Sequence, residues 1–190
     1  ESKVDILVDD NNSEINKEIL IKNITYFLKN IDIKNVDAKI IEKFIDSGLD
    51  TIPKILNAKK TDFLKVENFK EKMATKIYNS IQKQIEKSSL ESIAAASNIF
   101  GRGFGEKRIE LILKELPNIL TENSTNEEKI NKLKDIDGLG VKTSTRFVEN
   151  ISIFIKFINE AKLEYKLEKK ELSKKTAEKD VPLVNKIVLL

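Results

Sequence analysis

The chain has 190 residues, a formal charge of +3 and no Cys or His, which excludes disulfides, thiolate-ligated zinc and any imidazole chemistry within these residues. Its 40% hydrophobic and 34% charged content fits a folded, helix-rich protein, and no apolar run approaches the ~20 residues that span a bilayer. With 34 Lys and Arg against 31 Asp and Glu, any affinity for nucleic acid must come from local charge.

In chain order, residues 3–9 read as a strand followed by an Asp-Asp-Asn-Asn turn, and residues 14–30 as a helix ending near Asn30. Four short segments then align: Lys34-Asn35-Val36-Asp37, Glu67-Asn68-Phe69-Lys70, Arg102-Gly103-Phe104-Gly105 and Asp137-Gly138-Leu139-Gly140. Their second residues are separated by 33, 35 and 35 positions, a regularity that marks an internal repeat. Each segment opens a helix with one apolar stripe. The stripes are Ile40, Ile41, Phe44, Ile45; then Ala74, Ile77, Tyr78, Ile81; then Ile109, Ile112, Leu113, Leu116; and Ser144, Phe147, Val148, Ile151. The repeat unit is therefore helix, tight turn, helix. Pro53 and Pro117 follow the ends of repeat helices, where a helix stops or restarts. Residues 88–98 read as a small-residue helix with Ala94, Ala95 and Ala96 allowing close packing, and the polar loop 121–127 opens a helix that runs to Lys134.

Gly-apolar-Gly between two helices has a specific physical use. Glycine takes positive φ without steric cost, so both glycines of each pair are expected to serve a very tight turn. They leave backbone N–H groups bare at a helix N-terminus, which already carries unpaired donors and partial positive charge. A phosphate oxygen fits there, gripping the nucleic-acid backbone without reading bases. Phe104 and Leu139 are expected in the core. Lys107 and Lys142, each two residues past the second glycine, are expected to reach phosphates. The candidate DNA-binding set is Arg102, Gly103, Gly105, Lys107, Arg108, Gly138, Gly140, Lys142 and Thr143. The first two repeats lack glycines, but Asn35 and Asn68 tolerate left-handed geometry. Asp37 would repel a phosphate, so these two repeats are expected to be mainly architectural, with Lys39, Lys70 or Lys72 at most peripheral. No catalytic residues, metal ligands or cofactor-binding residues are assigned.

Over residues 24–160 the pattern resembles the helix-hairpin-helix domain of NAD-dependent DNA ligases. Gly101-Arg102-Gly103-Phe104-Gly105-Glu106-Lys107 is similar to that family's hairpin with its trailing Gly-Glu-Lys. Phe63 through Ala74 resembles a second hairpin, where the family usually has Glu-Gly-Phe-Gly-Glu-Lys, and Asp46-Ser47-Gly48-Leu49 looks like the end of the first repeat. Two departures stand out: the four-Cys zinc module that usually precedes the first hairpin is missing, as are the glycines of repeats one and two. In lacking the zinc module, the chain is similar to compact ligases of large DNA viruses.

The resemblance implies an all-α fold of four tandem helix-hairpin-helix repeats. It also implies a parent enzyme that uses NAD and magnesium to seal nicks in replication and repair. The adenylated lysine of that family sits in a Lys-x-Asp-Gly tetrad, which this chain lacks. The fragment alone is expected to be inactive and to clamp nicked, double-stranded DNA as a monomer, in an intracellular setting. The expected organisation is a tail from an upstream domain at 1–23, the repeats at 24–160, a charged Lys/Glu linker at 161–182, and the first strand of a truncated BRCT domain at 183–190. The ends, Glu1 and Ile187-Val188-Leu189-Leu190, read as cuts in a longer protein. Two other functions fit the same residues: a helix-hairpin-helix module of a repair nuclease or stand-alone junction binder, and a protein-interaction scaffold.

Overall fold

The computed structural model describes residues 13–167. The strand expected at 3–9 and the BRCT strand expected at 183–190 lie outside the described residues, as does most of the charged linker. Among the described residues ten helices follow one another: α1 (Ser13–Asn30), α2 (Ala38–Asp46), α3 (Ile52–Asn57), α4 (Lys60–Phe63), α5 (Glu71–Lys87), α6 (Leu90–Ser97), α7 (Glu106–Glu115), α8 (Asn126–Lys134), α9 (Val141–Glu149) and α10 (Ile151–Glu160). No strand occurs among the described residues. The fold is the expected all-α tandem of helix-hairpin-helix repeats, paired as α1/α2, α4/α5, α6/α7 and α8/α9.

Local chemistry sets the helix ends. The side chain of Asp37 caps α2, Ser89 caps α6, and Thr125 opens α8 in a reciprocal box with Glu128. After the Ser47 C-cap of α2, Gly48 takes a φ of +88°, which lets Leu49 N–H reach the Phe44 carbonyl at 2.8 Å. The first helix of repeat two is broken into α3 and α4 at Ala58, which takes an extended conformation. The last repeat helix breaks at Asn150, so residues 151–160 form a separate helix rather than a continuation of α9.

All four predicted stripes face the interior: Ile41, Phe44, Ala74, Ile77, Ile109, Ile112, Ser144 and Phe147 are buried. The aromatic packing crosses between repeats. Phe69, in the hairpin of repeat two, lies edge-on to Phe44 of repeat one at 5.9 Å between centroids. Phe104, in the hairpin of repeat three, lies 5.5 Å from Phe147 of repeat four, which stacks on Phe100 at 4.3 Å. Repeats thus pair one with two and three with four. The two pairs meet where α1 packs on α6, where Phe27 meets Phe157 at 5.9 Å, and where the Asn57 amide donates to the Glu160 carbonyl at 2.7 Å. Ala94 and Ala96 are buried on α6, as close helix packing requires.

The packed body does not stop at residue 160. Ala161, Leu163 and Lys166 are buried, and Lys166 Nζ donates to the carbonyls of Glu86 and Ser88 at 2.8 and 2.7 Å. Residues 161–167 are therefore not the solvated linker expected there. A lysine can be buried here because its charge meets carbonyls left open at the C-terminus of α5.

Candidate nucleic-acid interface

One backbone geometry recurs in all four hairpins. The second residue has positive φ in each: Asn35 +64°, Asn68 +63°, Gly103 +96° and Gly138 +78°. In three of them an i to i+3 hydrogen bond closes a β-turn around that residue: Phe69 N–H to Val66, Phe104 N–H to Gly101, and Leu139 N–H to Ile136, at 3.0, 3.3 and 3.0 Å. Positive φ at only the third turn position is the signature of a type II turn. The apolar residue after it points inward, with Phe104 and Leu139 buried as expected.

The two glycines of each Gly-x-Gly pair have different roles. Gly105 and Gly140 have φ of −72° and −78°, a region open to any residue, so the expectation that both glycines need positive φ is corrected. Only Gly103 and Gly138 do. Gly105 and Gly140 are the N-caps of α7 and α9, and a Cβ at either would meet nothing within 4 Å. What they contribute is bareness. No side chain accepts from the first turn of either helix. The amides of Gly105, Glu106 and Lys107 donate to nothing among the described residues, nor do those of Gly140, Val141 and Lys142.

The structure brings hairpins three and four onto one face. Gly103, Gly105, Lys107 and Arg108 line a groove whose other wall is Asp137, Gly138 and Leu139. Arg102 lines an adjoining cleft at hairpin three, shared with Tyr26 and Asn30 of α1. Gly140, Lys142 and Thr143 lie outside the lining of both concavities, at the start of α9. Thr143 is half-buried and its amide is taken by the Gly140 carbonyl at 3.0 Å. Arg108 is engaged too, donating from Nη1 to the Gly103 carbonyl at 2.9 Å. Charge is uneven between the two hairpins. Hairpin three has Arg102, Lys107 and Arg108 against Glu106, whereas hairpin four has Lys142 against Asp135 and Asp137.

A register runs through all four repeats that the glycine pattern hides. Four residues past each positive-φ position stands a lysine: Lys39, Lys72, Lys107 and Lys142, at the second residue of α2, α5, α7 and α9. Each is exposed and none forms an ion pair or hydrogen bond among the described residues. Lys39 and Lys72, expected to be at most peripheral, share this register, which the repeat spacing itself makes readable. The two glycine-less hairpins also differ from each other. At hairpin one, Asp37 Oδ1 accepts from Ile40 N–H at 2.9 Å, placing a carboxylate over the end of α2. At hairpin two the N-cap is Lys70, no side chain caps α5, and Glu71 is paired with Lys60.

Among the described residues no three His, Cys, Asp or Glu come together to hold a metal ion, and no helix is long and apolar enough to cross a membrane. Residues 27–83 match the SAM-like helix-hairpin-helix tandem family. The chain is 38% identical over 156 residues to the DNA ligase of Acanthamoeba polyphaga mimivirus, a match covering 81% of this chain and 24% of that relative. It is 36% identical over 149 residues to a protein of Invertebrate iridescent virus 6 provisionally named a DNA ligase, covering 78% of this chain and 22% of the relative. The chain thus spans about a quarter of the length of these curated relatives. No solved structure gives a significant match. The chain thus carries a tandem helix-hairpin-helix fold, and over most of its length it is similar to a segment of viral proteins named as DNA ligases.

Proposed function

We propose that this chain grips duplex DNA by its sugar-phosphate backbone, independent of sequence, and holds a nick in place for a DNA ligase of which it is a part. What carries the reading is the pair of uncapped helix N-termini, at Gly105 and Gly140, each followed by an exposed lysine and each belonging to a hairpin that walls one shared groove. Unpaired amides in the first turn of a helix take an anionic oxygen. Such contacts fix register and carry no base information, which suits an enzyme that must act at any nick. The ligase names of the relatives support the parent activity.

In this reading hairpin three is the stronger grip, since its cations outnumber its anions, and hairpin four adds a second contact. Gly103, Gly105, Gly138 and Gly140 supply amides. Arg102, Lys107 and Lys142 supply charge, Thr143 can add a hydroxyl, and Arg108 acts partly by bracing the turn. NAD and magnesium belong to the chemistry of the parent enzyme; no residue of this chain is assigned to either. The chain acts as a monomer in replication and repair inside the cell, upstream of a BRCT domain, and without the adenylation lysine it seals nothing by itself.

The test is a titration of fluorescent nicked, intact and single-stranded DNA with residues 1–190 at several salt concentrations. Each phosphate neutralised steepens the slope of log K against log salt by about 0.9. Two to four contacts and a preference for duplex are expected. Salt-independent binding, or none at low salt, refutes the proposal.

A further inference from the structure

The pairing of repeats places a cation from one repeat on the hairpin of its partner. Eight residues past the positive-φ position stand Lys43, Lys76, Leu111 and Arg146. Arg146, on α9, donates from Nη1 to the Arg102 carbonyl of hairpin three at 3.4 Å, and its stem passes 3.6 Å from where a Cβ on Gly101 would sit. Lys43, on α2, reaches the Glu67 carbonyl of hairpin two at 3.5 Å. Lys76, on α5, donates to the Asn35 side chain of hairpin one at 2.9 Å. Hairpin four has no counterpart: the equivalent residue is Leu111, partly exposed in the groove beside Asp137 and Gly138.

Two of these cations grip the same atom of the turn. Arg102 and Glu67 each precede the positive-φ residue, so their carbonyls belong to the central peptide of the β-turn. A trans peptide is planar, with C=O and N–H on opposite sides. Holding the Arg102 carbonyl toward α9 therefore aims the Gly103 N–H away from α9. Neither the Gly103 nor the Asn68 amide has an acceptor among the described residues. The alternative is a flip of this one peptide, which converts a type II turn to type I and brings the third position to negative φ. Glycine allows both states at similar cost, so hairpin three needs an outside restraint.

We propose that Arg146 is a positioning residue that locks the Arg102–Gly103 peptide with its amide outward, and that Lys43 does the same for Glu67–Asn68. The cross-repeat clasp thus presets one more N–H beyond those of the helix end. Because the cation comes from the partner repeat, a hairpin keeps its orientation only while its pair is assembled. Hairpin four, with Leu111 in place of a cation, lacks this restraint. The effect on affinity presupposes the DNA-binding role proposed above; the orientation of the peptide does not.

The test compares wild type, Arg146→Met, Arg146→Lys and Leu111→Arg in residues 1–190. The Gly103 and Gly138 amides are followed by NMR without DNA, and nicked-duplex affinity is measured alongside. Arg146→Met is expected to shift or broaden the Gly103 amide and weaken binding about tenfold, the scale of one charge-assisted hydrogen bond. Arg146→Lys is expected to restore part of both, and Leu111→Arg to sharpen or shift the Gly138 amide. Weaker binding with an unaltered Gly103 amide would make Arg146 a direct DNA contact and overturn the clasp. An unaltered amide with unaltered binding overturns it as well. If wild type fails to bind DNA at all, the functional reading falls, and the Gly103 amide alone decides the clasp.

Discussion

Gly103 and Gly105 stand two residues apart in one turn, yet alanine at each should have opposite consequences. At Gly103 the φ of +96° lies well past the centre of the left-handed basin near +57°, and an L-residue in that basin costs ~1–2 kcal/mol. The new Cβ would also lie 3.2 Å from Arg108 Nη1, pushing that group off the Gly103 carbonyl at a cost of about 1 kcal/mol. Gly103→Ala is therefore expected to lose roughly 2–3 kcal/mol of stability, a fall in Tm of roughly 5–10 °C for a chain of this size. At Gly105 the φ of −72° is ordinary and nothing lies within 4 Å of a Cβ. The lower chain entropy of alanine, worth ~0.4–1 kcal/mol, offsets its poorer N-cap preference. Gly105→Ala should thus melt within about 2 °C of wild type. Its methyl nevertheless stands next to the open amide of Glu106, so duplex affinity should fall without a loss of fold. Thermal melts by circular dichroism and duplex titrations separate the two effects. Equal destabilisation at both positions, or a larger loss at Gly105, would refute the division of roles between the glycines.

Further outcomes follow from the same geometry. Lys107→Glu with Lys142→Glu should weaken nicked-duplex binding and reduce the salt slope by about 1.8, two contacts of ~0.9 each, while the melting curve stays put; unchanged affinity at low salt would reject these contacts. Asp37→Gly removes the carboxylate from the end of α2 at a cost of a few tenths of a kcal/mol, and should add a phosphate site at hairpin one, read as tighter binding with a steeper slope. Ser144 is fully buried with its hydroxyl unpartnered among the described residues, so Ser144→Ala should raise stability by up to ~1 kcal/mol in urea denaturation. The Glu128 carboxyl is held below the ordinary glutamate value by the Thr125 amide, then by the Thr125 hydroxyl. A depressed folded pKa gives stability that is present above the unfolded value and is lost as pH falls through the folded one. Glu128→Gln should therefore flatten the acid limb of the stability curve, and an acid limb identical to wild type would show that this cap does not contribute.

Much of the fold was legible because the repeat announces itself. The spacing of Asn35, Asn68, Gly103 and Gly138 set the hairpins, and the apolar stripes behind them gave α2, α5, α7 and α9 with their buried faces. Asn was readable as a stand-in for glycine because its short polar side chain tolerates left-handed backbone, and both asparagines do take it. Other features were not legible for physical reasons. Gly-x-Gly does not say which glycine carries positive φ, since that depends on where the turn closes onto the helix. The breaks at Ala58 and Asn150 carry no proline or glycine. Lys166 looked like one more residue of a charged tail, and only the open carbonyls at the end of α5 make its burial sensible. The clasps of Arg146 and Lys43 depend on which repeats pair in space, which no local pattern records.

The four hairpins share a backbone and differ in what stands at the N-cap. Each has a left-handed residue, an inward apolar residue and an extended N-cap, so the bend survives the exchange of glycine for asparagine. Function can then vary without disturbing the fold. Aspartate at position 37 fills the anion site from within the chain; glycine at 105 and 140 leaves it open; lysine at 70 leaves it open and adds charge. By this rule hairpins two, three and four are all open to an anion, and hairpin two, with Lys70 and Lys72 exposed and unpaired among the described residues, is expected to compete with hairpin four despite having no glycine. Absence of glycine therefore does not by itself close the anion site. The residue that occupies the helix end decides it, because a single carboxylate there cancels both the amides and the neighbouring lysine.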